Sequence, residues 1–151
     1  MEIQKLYLQT IFCCIACDGY IVPQEIKLLK DLINKEYVFE GIDCSAEINH
    51  YVEQINKRGK EFLTEYIRDL KQTPISPKDI YCILDLAFKS IEVDEIVEYA
   101  EIKFVKTIIA SLNLSREDFL THFPNKEDFL MSDIIEDDYM WEDVQFEKLV
   151  L

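Results

Sequence analysis

Two acidic pairs stand at matching places in the chain, Asp18 with Glu25 and Asp94 with Glu101, the second pair repeating the spacing of the first. Carboxylates in this pattern could give hard oxygen ligands to a divalent cation, or the acid and base of a proton transfer. Glu98 adds a further carboxylate beside the second pair. Calcium takes about six to eight oxygens and magnesium keeps several waters, so one Asp and one Glu per loop are too few alone. A weak, water-rich Mg²⁺ or Ca²⁺ site becomes reasonable if Asp18, Glu25, Asp94, Glu101 and Glu98 meet at one end of the molecule. The glutamates also have a plainer role. Each falls at the third residue of a helix, where a carboxylate reaches back to the capping amide and complements the helix dipole. The aspartates stand where helices end, a place the dipole disfavours for negative charge by roughly 0.3–1 kcal/mol. Loop amides or a shared cation would offset that cost.

Other chemistry finds less support. Cys14 and Cys17 form C-x-x-C, but no second cysteine pair or histidine follows at zinc spacing, and His50 and His122 are isolated. With Cys13 they lie along one flank of the first helix and read as small core residues. No glycine-rich phosphate loop is present. No nucleophile, base and orienting group come together, so the expectation is a protein that is not an enzyme.

The elements that must hold these residues are helices. Apolar residues at helical spacing predict a helix over about Glu2–Cys17, stopped by Asp18-Gly19, and a second from Pro23 to about Tyr37. Further helices are expected over about Ser45–Asn56, Lys60–Lys71, Ser76 to near Val93, Tyr99–Leu112, and from Ser115 to His122. Ser76 with Asp79 reads as a cap, and Pro77 suits a first turn. No segment alternates with period two, so no sheet is expected. The first and fifth helices, each with its successor, are one helix–loop–helix written twice. Nine of the 26 positions in 8–33 and 84–109 are identical, where composition alone gives about one or two. The fold class is therefore all-α: a single helical bundle of about seven helices with an internal pseudo-twofold repeat.

At 151 residues with nearly half of them apolar, the chain can bury a substantial core. No apolar run approaches the roughly 20 residues of a membrane span, and no basic region precedes an apolar stretch at the start. With five cysteines in no disulfide framework, the expected state is reduced and the expected place the cytoplasm. The net charge of −14 argues against a nucleic-acid ligand and admits cations or a protein partner.

Residues 125–151 carry nine acids against two lysines. Large apolar residues run between the acids, with Tyr139, Trp141 and Phe146 the candidate partner-binding residues. Residues 124–151 are thus an acidic amphipathic segment, either docked on the body of 1–123 or used to bind a partner.

Ala16-Cys17-Asp18-Gly19-Tyr20-Ile21 followed by Glu25 resembles the alanine–aspartate–glycine signature of the tellurite-resistance TerB-like family. Asp94…Glu101, Phe104-Val105 and Ser111-Leu112-Asn113-Leu114-Ser115 resemble that family's second half, which ends in a leucine–glycine–leucine segment. The resemblance spans roughly residues 1–123, and the same domain type occurs at the membrane-proximal end of some J-domain co-chaperones. Glu95 stands where the family's second loop has glycine, and Lys89-Ser90 and Glu92-Val93 replace small apolar residues. The resemblance implies an all-helical binding or scaffold module in a stress response, without established catalysis, whose acidic loops take divalent metal. An alternative from the charge and the segment after Phe123 is an acidic, immunity-like inhibitor that covers a basic partner surface.

Overall fold

A computed structural model describes residues 3–17, 23–36, 39–41, 43–92 and 99–130, the side chains of Gln24 and Leu28 aside. Among the described residues seven α-helices are formed: α1 (Ile3–Ala16), α2 (Pro23–Lys35), α3 (Cys44–Arg58), α4 (Lys60–Gln72), α5 (Pro77–Ile91), α6 (Tyr99–Ser111) and α7 (Arg116–His122). A 3₁₀ segment, Pro124–Leu130, follows, and no strand occurs among the described residues.

Local chemistry sets most boundaries. Ser76 accepts from the Asp79 amide and Pro77 fills the first turn of α5, while Ser115 caps α7 through the Asp118 amide. The helix expected from Ser45 begins one residue earlier, because Asp43 is its cap and accepts from the Ala46 amide at 3.2 Å. Gly59 alone joins α3 to α4. Its φ of 57° lies in the left-handed region, and its N–H donates to the Ile55 carbonyl at 2.8 Å, closing α3. Asn113, with φ 54°, turns the chain between α6 and α7. Asparagine is the residue that takes this conformation most readily after glycine, which accounts for Asn between Leu112 and Leu114.

α1 is the centre. Ten of its fourteen residues are buried, so it is apolar on all sides rather than on one stripe. It lies along α5 and also packs on α2, α3, α4 and α6. Phe12 is fully buried with Tyr51 of α3 at 5.6 Å and Phe62 of α4 at 5.9 Å between ring centroids. A second aromatic group forms around Phe88 of α5, with Phe119, Phe123 and Phe129 at 6.3, 5.3 and 5.0 Å.

One hydrogen-bonded pair crosses the core. Thr10 donates its hydroxyl to the Leu6 carbonyl at 2.8 Å, so the Tyr66 hydroxyl, 2.5 Å away, must donate to Thr10. Both residues are buried. Thr10→Val should therefore strand the Tyr66 hydroxyl and cost about 1–3 kcal/mol in urea unfolding. The double variant with Tyr66→Phe should recover part of that loss. Additive losses from the two single changes would refute the assignment.

Candidate functional site

The repeat decides which helix ends meet. At one end of the bundle Tyr7, early in α1, donates to Asp79 Oδ1, early in α5, at 2.5 Å. At the other end the first turn of α6 reaches the last turn of α1, where the Glu101 carboxylate acts on the Cys14 thiol. Hence α1 and α5 run side by side in the same direction, and α6 returns along α1. Asp18 follows directly on Cys17, after α1, and Asp94 follows Glu92 and Val93, after α5. The C-terminal ends of α1 and α5 therefore lie at the same end of the bundle.

Glu101 is only 7% exposed, one of four buried polar or charged residues among those described, and Glu25 is partly buried. Both glutamates stand at the third position of their helices, as the capping reading expects. The Glu101 charge also bears on the opposite repeat, where it raises the Cys14 thiol. Cys14 and Ser90 occupy equivalent positions in the two halves, and both are buried. The charge of the second hairpin's glutamate is thus felt at the helix of the first.

The candidate ligands Asp18, Asp94 and Glu98, and the candidate partner-binding residues Tyr139, Trp141 and Phe146, lie outside the described residues. So does the stop at Asp18-Gly19. Among the described residues no three His, Cys, Asp or Glu side chains converge as a metal site requires. Glu25 and Glu101 would therefore need the loop acids, or backbone carbonyls, to hold a cation.

The cysteines behave as core. Cys13, Cys14 and Cys17 are buried, and all five are free thiols. Cys17 donates its S–H to the Cys14 carbonyl at 3.2 Å. Burial pushes the Cys13 and Cys14 thiols well up, with the Cys14 and Glu101 charges adding to the respective shifts. Neutral thiols of this kind are poor nucleophiles and poor zinc ligands.

Two features were not legible in the sequence. Asp79 joins Ser76 and Tyr7 in one cluster, accepting from Ser76 at 2.9 Å as well as from Tyr7. Burial and the Asp79 hydrogen bond raise the Tyr7 phenol above its ordinary range, and the cluster holds α1 to α5. The second is a cavity of about 460 Å³ at the α2–α3 connection, lined by Lys35, Glu36, Phe39, Asp43 and Cys44 among others. Burial and the Asp43 and Glu47 charges raise the Cys44 thiol, which disfavours its reactive thiolate form. A break in helical periodicity at Glu40–Ser45 marks the connection in the sequence but not the cavity.

Among the described residues the chain is an all-helical bundle built on duplicated hairpins. No family model, curated protein or solved structure matches the chain. No described helix is long and apolar enough to cross a membrane.

Proposed function

We propose that the chain is a non-catalytic binding or scaffold module of the tellurite-resistance, stress-response kind, working in the cytoplasm with a protein partner. Its acidic end takes a weakly held divalent cation, Mg²⁺ or Ca²⁺, through Asp18, Glu25, Asp94, Glu98 and Glu101. One observation carries this reading: α1 and α5 lie side by side and point the same way. On this reading, the acids that follow the two helices in sequence share one end of the bundle. A cation there would offset the dipole cost of an aspartate after each helix and ease self-repulsion in a chain of charge −14.

Thermal unfolding with and without Mg²⁺ or Ca²⁺ tests the proposal, against potassium at equal ionic strength. A cation at about a hundred times its Kd adds about 2.7 kcal/mol, and a chain of this size gains about 2–4 °C per kcal/mol. The expected rise is therefore about 5–10 °C, and it should vanish in Asp18→Asn and in Asp94→Asn. An equal rise in wild type and both variants, or no rise at any millimolar concentration, refutes the site.

A further inference from the structure

The 3₁₀ segment Pro124–Leu130 is fastened to the end of α5. Lys126 Nζ lies 2.5 Å from Glu92 and 5.1 Å above the Phe88 ring, and the Phe129 ring packs on Phe88. Between this segment and α6 runs a groove of about 410 Å³. Its apolar walls are Ile109, Ala110, Leu114, Phe129 and Leu130, and its polar members are Lys106 and Asn113. Among the described residues no acid lines it, although 30 of the chain's 151 residues are acidic. A groove of this composition suits an occupant that is apolar and negatively charged.

The chain itself supplies one. Leu130 is both a wall of the groove and the last described residue, and residues 131–151 carry seven acids and one lysine among large apolar side chains. We infer that the groove is the seat of this following segment, with Trp141 as its anchor. Trp141 is the largest side chain of the segment and the chain's single tryptophan. An indole wants an apolar bed with a hydrogen-bond acceptor for its N–H, which the aliphatic walls and Asn113 offer. Glu142 and Asp143 then come beside Lys106, so the charges match. The connection reaches roughly 35 Å when extended, ample for a return to a groove that starts at Leu130. Tethering makes the occupancy intramolecular, at an effective concentration that a free acidic partner would have to exceed. The segment is thus an internal ligand that keeps its own aromatic residues covered.

Because Trp141 is unique, its fluorescence reads the seat directly in the full chain. The expected native spectrum is blue-shifted, with acrylamide quenching at least twofold weaker than in urea. Ala110 is exposed, so Ala110→Arg should block the groove without loss of helicity, and should raise quenching towards the unfolded value. Asn113→Gly keeps the positive-φ turn while removing the polar partner, and should raise quenching by a smaller factor. A native Trp141 that is already solvent-like overturns the inference. So does a buried Trp141 that neither variant moves, or one exposed by dilution, which would mean that a second copy fills the groove.

Discussion

Phe12→Ala should lower the stability of the fold by about 3–5 kcal/mol, the range for removing a fully buried aromatic ring. Phe12 is 0% exposed and sits where α1, α3 and α4 meet, with Tyr51 and Phe62 packed on it. Neither neighbour can close the gap, because each is itself buried. Domains commonly have about 5–15 kcal/mol in hand, so this one change should bring the chain near its threshold. In urea unfolding the midpoint should fall by about 2 M, given a slope of about 1–3 kcal/mol per molar. A loss below about 1 kcal/mol would mean that α1 is not the packing centre.

Alkali should unfold the protein abruptly. Tyr7, Tyr51 and Tyr66 are held as neutral phenols by burial, with the Asp79 hydrogen bond adding at Tyr7, the Glu47 charge at Tyr51 and the Cys14 charge at Tyr66. Their folded pKa values are raised, so the folded state keeps protons that the unfolded state releases above about pH 10. Stability contributed by these groups is complete below the unfolded pKa and falls as pH rises beyond it. Each group contributes up to about 1.4 kcal/mol per pH unit, and three together about 4. The raised thiols of Cys13 and Cys14 start the same decline from about pH 8.5. In an absorbance titration of the eight tyrosines, three should ionise only together with the loss of helical circular dichroism. Smooth titration of all eight near pH 10 with helicity intact would contradict the burial of these phenols.

The helices were legible because each carries its own signal. Ser76 and Ser115 cap with acids three residues on, Pro77 sits in a first turn, and α4 and α5 show clean apolar stripes. Asp43 was harder to read as a cap, since its Cys44-Ser45 continuation offers a rival serine. The Pro124–Leu130 turn had no local signal. Phe88 and Glu92, far away in sequence, hold it in place. The candidate site divides the same way. The repeat and its acidic residues are a property of local sequence, whereas the effect of the Glu101 charge on Cys14 depends on how hairpins pack. Periodicity states which face of a helix is apolar. It does not state which helix will cover it.

The burial of α1 on all sides has a consequence for the order in which the chain can fold. A helix with ten of fourteen residues buried has little to stabilise it until its covers exist, and its main cover, α5, begins with Pro77. The Tyr7–Asp79 hydrogen bond closes a separation of 72 residues. On a ribosome the first hairpin would emerge with Leu8, Ile11, Phe12 and Ile15 uncovered, and would wait for more than half the chain. Such a high contact order slows closure and lengthens the time that apolar surface is exposed. The duplication that packs α1 on α5 therefore also makes the first half depend on the second during synthesis.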